Sequence, residues 1–325
     1  MKFLLVGFGS IGRRHFQNLV TLGEKDILFY RTHQSTLDDT ALADYQVEPD
    51  LVSALAQNPD AVIIANPTAY HLDAAIPAAR QGCHILLEKP ISHSMQRVEE
   101  FSKIVQESGS RVLVGFQFRY HPNLLKIKEL LEGQKIGRVL SFRSHWGEYL
   151  PDWHPWENFR NSYAARKELG GGVLLTLCHN FDYCRWLFGE GEIHSSILGY
   201  SSGFDINVED TAEVVMKFAE NVIGSLHLNF TQQPPKHILE IVGTKGSINW
   251  DYYQNKVEVV VFNDNHQPDK VTYTCPDDFD RNDLFLQEMK HFVGIINQNR
   301  KPICSLDDGI KALSYALEAG KRGDL

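Results

Sequence analysis

The chain has 325 residues, of which 43% are hydrophobic and 22% charged, with a formal net charge of −9. At about 150 residues per domain this suggests two domains with ordinary globular composition. An acidic chain lacks the electrostatic footprint of a nucleic-acid binder or of a surface held by anionic lipid, so neither partner is expected.

No apolar run approaches the ~18 residues of a spanning helix, and no membrane partner is predicted. Phe3–Val6 is too short for the roughly 7–15-residue core of a signal peptide. The five cysteines, Cys83, Cys178, Cys184, Cys275 and Cys304, form no C-x-x-C pair. Neither a disulfide framework nor a zinc knuckle is indicated, and a reducing cytoplasm is expected. Among 14 histidines no H-x-x-E-H or comparable spacing occurs, so no metal site is predicted.

In chain order, residues 2–6 read as a buried parallel strand, followed by Gly7-Phe8-Gly9-Ser10-Ile11-Gly12 and a helix to about Leu22. Residues 26–30 give a second strand. Helices are expected at 51–57, 69–81 and 94–108, and strands at 61–65, 83–87 and 111–115. Thr68 is a candidate cap for the helix after Asn66-Pro67. Repeated strand–helix units predict a parallel sheet covered on both faces, with ligands at the carboxyl ends of the strands. The segments 7–12, 31–35, 66–71, 88–93 and 116–122 should therefore converge.

The rhythm changes near residue 122. Residues 139–149, 211–218 and 222–230 alternate apolar and polar, and 256–262 and 270–274 look like further strands, with a tight turn at Gly243–Gly246. Helices are expected at 122–132, 173–188, 281–299 and 307–319. The expected fold is thus an N-terminal Rossmann parallel sheet in residues 1–122, then an α+β domain in 123–325 with a large open, mainly antiparallel sheet. One face of that sheet would pack on helices and the other could pair with a second subunit.

The glycine-rich turn matches G-x-G-x-x-G. Its first glycine permits the turn, its second lets a pyrophosphate approach, and its third lets helix and strand pack. The helix N-terminus, at Ser10, Ile11 and Arg13, then offers free N–H groups to phosphates. Nineteen residues after Gly12, where NAD-binding domains usually carry a ribose-binding acid, stands Arg31. A guanidinium can pair bidentately with a 2′-phosphate, with Thr32, Ser35, Arg13 and Arg14 adding donors, so NADP is preferred over NAD. The alternative is that Arg31 stacks on adenine, which suits either cofactor.

Three motifs complete a pattern: Asn66-Pro67-Thr68-Ala69-Tyr70-His71, Glu88-Lys89-Pro90, and Gly115-Phe116-Gln117-Phe118-Arg119. With Gly170-Gly171-Gly172, His179-Asn180-Phe181-Asp182 and Gly243-Thr244-Lys245-Gly246-Ser247, the chain resembles the glucose–fructose oxidoreductase / inositol dehydrogenase / rhizopine catabolism (Gfo/Idh/MocA) family over most of its length. The resemblance implies an NAD(P)-dependent oxidoreductase acting on a carbinol carbon of a sugar, cyclitol or nucleotide sugar, usually as a homodimer or homotetramer. It implies that Lys89 contacts nicotinamide and substrate, and that His179 transfers the proton. It implies cofactor contacts from Gly7, Gly9, Gly12, Asn66, Pro67, His71, Glu88 and Gln117, and substrate contacts from Arg119. A histidine suits proton transfer near neutral pH, and an ammonium stabilises the developing oxyanion.

One position departs from the family pattern. An aspartate often stands four residues before the histidine, where this chain has Leu175. Thr176 could replace that substrate contact, or Asp182, one helical turn on, could orient His179. The Gly170–Asp182 variant resembles a subgroup accompanying surface-polysaccharide and nonulosonic-acid sugar synthesis, which implies a nucleotide-activated or acidic sugar.

Trp146, Trp153 and Trp156 cluster with His145, Tyr149 and His154. They form either core or a wall that stacks on sugar C–H groups. Arg160, Tyr163, Arg166 and Lys167 follow and could receive a substrate carboxylate or phosphate. Two other functions fit the same residues: an isomerase, lyase or glycosidase that retains its cofactor, or a non-enzymatic NADP-binding sensor.

Overall fold

A computed structural model describes residues 1–32 and 40–323. In chain order the elements are β1 (Lys2–Val6), α1 (Ser10–Thr21), β2 (Asp26–Tyr30), β3 (Gln46–Glu48), α2 (Leu51–Leu55), β4 (Ala61–Ile64), α3 (His71–Arg80), β5 (His84–Leu87), α4 (Val98–Ser108) and β6 (Val112–Val114). Then follow α5 (Pro122–Glu132), β7 (Val139–Tyr149), α6 (Val173–Thr176), α7 (His179–Phe188), β8 (Gly191–Gly199), β9 (Thr211–Phe218), β10 (Ile223–Asn229), β11 (Thr231–Gly243), β12 (Gly246–Asp251), β13 (Lys256–Phe262) and β14 (Pro268–Thr274). The chain ends in α8 (Arg281–Gln298) and α9 (Leu306–Gly323).

Contacts divide the chain into two compact units. The first holds Met1–Gln117, Glu168–Gly170 and Asp280–Leu313; the second holds Phe118–Lys167, Gly171–Phe279 and Ser314–Leu325. The sequence placed everything after residue 122 in the second domain, whereas 280–313 folds with the first. The physical reason is α8: Leu284, Phe285, Met289, Phe292 and Ile295 are buried, and this helix packs along α1.

In the first unit six parallel strands run in the order β3-β2-β1-β4-β5-β6. Phe3, Leu4, Leu5 and Val6 of β1 and all four residues of β4 are 0% exposed. Side chains buried on both faces are what a sheet covered by helices requires, each contributing about 1.5–3 kcal/mol. The strand order reverses direction at β1, which pairs with β2 on one side and β4 on the other. Such a switch point opens a crevice at the carboxyl ends of the strands, where residues 7–12 lie.

In the second unit eight strands run in the order β14-β13-β12-β11-β7-β10-β9-β8. All neighbours pair antiparallel except β7 and β10, which are parallel. Along β7 the residues Phe142, Ser144 and Trp146 are buried, while Arg143 and His145 belong to the other face. On that other face Ile223 is 57% and Val242 46% exposed.

Some boundaries differ from expectation. The helix predicted at 173–188 is two helices, because the i→i−4 ladder stops at Leu177 and restarts from the Cys178 carbonyl. The helix predicted from 94 begins at Val98, after Arg97 in a left-handed conformation (φ 63°). Thr68 does not cap α3: the cap position is Tyr70, with no side-chain bond there. Among the described residues no helix is long and apolar enough to cross a membrane.

Candidate functional site

In the first unit the turn after β1 is shaped by contacts that forbid side chains. Gly7 has φ +91°, and a Cβ there would lie 2.6 Å from the Asn66 backbone nitrogen. A Cβ on Gly12 would lie 2.3 Å from the Gly7 carbonyl oxygen. These two glycines therefore let the turn and α1 close on the sheet. Gly9 is different, because a Cβ built on it meets nothing within 4 Å. Gly9 is the N-cap of α1, with no side-chain bond at the cap, and Ser10 and Ile11 open the helix. The positive end of α1 thus faces space suited to an anion.

Phe8 forms the base of the neighbouring basic patch. The Arg13 guanidinium lies 4.5 Å and that of Arg31 5.5 Å from its ring centre. Arg31, one residue beyond β2, is 5% exposed, and its N–H donates to the Glu48 carbonyl at 3.3 Å. Arg14 points elsewhere: it lies over Phe285 and donates to Asn282 Oδ1 at 3.1 Å. Ser35, expected to add a donor, lies outside the described residues.

His71, the first residue of α3, links two strand ends. Its Nδ1 lies 2.8 Å from the Pro90 carbonyl oxygen and its Nε2 2.9 Å from that of Asn66. Burial pushes its pKa down against these two carbonyls and the nearby Glu88 carboxylate, which raise it. Asn66 Nδ2 donates to the Tyr70 carbonyl at 3.3 Å, closing the turn through Pro67. Gln117 is 5% exposed and ends the first stretch of chain in the first unit.

Glu88 and Lys89 follow β5. Glu88 is 6% exposed, and its Oε1 accepts a bond of 2.7 Å from His15 Nε2. Its Oε2 accepts the Lys89 backbone N–H at 3.2 Å. A Cβ on Gly115 would press to 3.2 Å against this carboxylate, so that glycine gives Glu88 its room. The fully buried Glu288 of α8 brings a carboxylate oxygen within 4.8 Å of a His15 ring nitrogen and a Glu88 carboxylate oxygen. Sequence reading singled out neither His15 nor Glu288. His15 falls one helical turn after Ile11, a spacing that could have pointed to it.

The second unit holds the other predicted residues. Gly171 and Gly172 are needed for space: Cβ atoms there would lie 2.5 Å from the Ala164 carbonyl oxygen and 2.4 Å from Glu209 Oε1. That same Glu209 oxygen accepts the Leu174 N–H at 3.1 Å, which starts α6. Thr176 ends α6 at 2% exposure, and His179 begins α7 at 2% exposure. The His179 ring is bracketed by Phe118, edge-on at 5.1 Å, and by Trp146 at 5.6 Å. Arg119 and Asp182 are brought together: Arg119 Nε and Nη2 donate to Asp182 Oδ2 and Oδ1 at 3.0 and 2.7 Å.

The aromatic segment splits three ways. Trp146 is core, stacked on His237 at 4.4 Å. Trp153 and Tyr163 line a pocket with Leu150, His154, Phe159 and Ser162. Trp156 is 54% exposed.

Residues 1–116 match the family model "Oxidoreductase family, NAD-binding Rossmann fold", and residues 128–319 match "Oxidoreductase family, C-terminal alpha/beta domain". The chain belongs to the Gfo/Idh/MocA family. Residues 1–116, with the six-stranded parallel sheet, are accordingly the NAD-binding Rossmann domain of an oxidoreductase, and 128–319, with the second sheet and α8, match the family's C-terminal α/β domain. Among relatives, the myo-inositol 2-dehydrogenase of Thermotoga maritima is 25% identical over 341 residues, covering 99% of this chain and 96% of that protein. The levoglucosan dehydrogenase of Pseudarthrobacter phenanthrenivorans is 28% identical over 237 residues, covering 64% of this chain and 60% of that protein. A solved levoglucosan dehydrogenase, in complex with NADH and L-sorbose, superposes with a TM-score of 0.86 at 20% identity, covering 100% of this chain and 97% of that one. That likeness establishes the shared Gfo/Idh/MocA fold.

Proposed function

We propose that this Gfo/Idh/MocA protein is a dehydrogenase or reductase, preferring NADP to NAD, that acts on a carbinol or carbonyl carbon of a sugar, cyclitol or nucleotide sugar. The observation that carries the reading is the turn at Gly7–Gly12. Two glycines are closed by backbone, and the third, Gly9, faces open space at a helix N-terminus. A glycine-rich turn without side chains at a helix N-terminus is what a dinucleotide pyrophosphate needs. The relatives named for inositol and levoglucosan support a polyhydroxylated substrate.

The cradle residues fit the cofactor: backbone N–H groups of Ser10 and Ile11 take its phosphates, and Arg13 and Arg31 take its ribose 2′-phosphate. Bound nicotinamide supplies the hydride chemistry. Asn66, Pro67, His71, Glu88 and Gln117 shape the strand ends around it. The Lys89 ammonium steadies negative charge on the substrate oxygen, and His179 takes or returns the hydroxyl proton. Thr176 offers a hydroxyl in place of the family aspartate. Trp153 and Tyr163 offer aromatic faces to sugar C–H groups.

Residues 1–117 and 280–313 bind the dinucleotide, while most of 118–279 binds substrate and joins copies into a dimer or tetramer through the open face of the second sheet, where Ile223 and Val242 are exposed. The free cysteines, all buried, suit a reducing cytoplasm. A screen of sugars, cyclitols and nucleotide sugars with each nicotinamide cofactor, read by nicotinamide absorbance, tests the proposal. A polyol or sugar that changes absorbance with NADP is expected. Substrate conversion with no net absorbance change would replace this reading by a cofactor-retaining one.

A further inference from the structure

Three buried side chains from three elements of the first unit meet beside the proposed nicotinamide site. His15 comes from α1, Glu88 from the end of β5, and Glu288 from α8. His15 Nε2 lies 2.7 Å from Glu88 Oε1; an ionised carboxylate can only accept, so this ring nitrogen carries the proton. Glu88 is thereby held from one side by His15 and from the other by the Lys89 amide. Glu288 is 0% exposed, and neither of its carboxyl oxygens has a hydrogen-bond partner among the described residues. Two ionised carboxylates within 4.8 Å, one 6% and one 0% exposed, repel each other with little screening.

The surroundings offer Glu288 little relief. Of the charged and titratable groups on the packed elements, α1 presents His15, already committed to Glu88, and Arg14, whose guanidinium is over Phe285 and on Asn282. The end of β5 presents Glu88 and Lys89, and α3 presents His71, which faces two carbonyl oxygens. On α8 itself Arg281 and Lys290 are exposed.

We propose that Glu288 is a positioning residue for cofactor binding, carried as a neutral carboxylic acid beside an ionised Glu88, so that the two carboxyl groups together keep one proton and one negative charge. When that proton is lost at alkaline pH, repulsion displaces Glu88 and with it the Lys89 backbone and the α1 contact. The inference rests on the reading of Gly7–Gly12 and Lys89 as the nicotinamide site. Burial and the Glu88 charge both push the Glu288 carboxyl well above the ordinary carboxylate range. Burial pushes Glu88 up as well, but the His15 bond and charge, the Lys89 ammonium and the Lys89 amide together hold it below its ordinary value. A divalent cation is the other way to neutralise two carboxylates, and the test distinguishes the two.

The experiment titrates the full chain with NADH and NADPH from neutral to alkaline pH, in wild type and Glu288→Gln, and measures metal content. Glutamine keeps the shape of a neutral acid and its donor. The wild type should lose roughly tenfold in affinity on the alkaline side, while Glu288→Gln binds as the wild type does near neutrality and lacks that loss. An unchanged alkaline profile in Glu288→Gln overturns the proposal, as does stoichiometric metal in the wild type that the variant loses. Carbon-13 NMR of glutamate-labelled wild type reads the same point without a variant. A glutamate carboxyl still protonated at neutral pH is expected, and its absence overturns the proposal. Failure of the wild type to bind either nucleotide, with that protonated carboxyl present, would sink the nicotinamide reading and leave the protonation standing.

Discussion

The Arg119 guanidinium grips both carboxylate oxygens of Asp182, at 3.0 and 2.7 Å, with the two side chains 3% and 2% exposed. The pair ties the turn before α5 to α7, the helix that begins with His179. Each charge is committed to the other, so both residues support the histidine's helix through packing and charge. Removing one partner strands a buried ion, which typically costs about 3–5 kcal/mol. Asp182→Ala should therefore lower stability by that order in denaturant unfolding. The double change Arg119→Met with Asp182→Leu should recover most of it, because an apolar pair needs no desolvation. A double variant as unstable as Asp182→Ala would show that the pair matters for something other than its charge.

His179→Ala should reduce kcat by roughly 10²–10⁴-fold, the usual worth of a positioned acid–base group. Dissociation constants for the nicotinamide cofactor should stay within about twofold of wild type, since the residues proposed to hold it belong to the first unit. Steady-state kinetics with the best substrate from the screen, together with fluorescence titration of the cofactor, check both halves. Retained turnover would remove the proton-transfer role from this histidine.

The sequence made some of this arrangement visible and hid the rest for physical reasons. β7 and β9 were legible because one face of each is buried, and the burial pattern alternates residue by residue as the side chains do. β11 was not, because its first half, Thr231-Gln232-Gln233-Pro234-Pro235-Lys236, is polar, and its pairing with β7 shifts register there. The glycine-rich turn was legible from its spacing together with its place between a predicted strand and helix, the context that the motif requires. The return of α8 to the first unit, and with it Glu288 to Glu88, depends on a tertiary contact that no local pattern encodes. The same holds for Arg119, read as a substrate contact, and Asp182, read as orienting His179, which only the fold brings together as a bidentate pair.

Arg31→Ala should weaken NADPH binding more than NADH binding. A guanidinium bonded to a phosphate contributes through charge-assisted bonds, so the differential loss should be roughly 10–100-fold. Both dissociation constants should be measured at one ionic strength, because screening acts on the phosphate term alone. Equal losses for the two cofactors would instead favour stacking of Arg31 on the adenine they share.

The acid side of the stability profile should carry the mark of His121. Its Nδ1 accepts the Asn123 N–H at 3.2 Å, capping α5, and its ring packs against Trp250, Tyr252 and Phe279. Burial lowers its pKa to about 3, against an ordinary 6.5. His237, stacked on Trp146 in the same aromatic cluster, is pushed well below its ordinary value, first by burial and then by His121 and His145. The unfolded chain therefore takes up a proton at His121 below pH 6.5 that the folded chain refuses until about pH 3. The stability that the neutral ring contributes is complete above pH 6.5 and is lost progressively as pH falls through this window, at about 1.4 kcal/mol per pH unit for one such group. His121→Asn keeps a good cap residue and has no imidazole to protonate. Its unfolding free energy, measured by denaturant titration between pH 4 and 7, should fall less steeply than wild type by about that slope. The variant is expected to be less stable at neutral pH through lost packing, so the slope and not the absolute value decides. Parallel curves for variant and wild type would place the acid sensitivity on other groups.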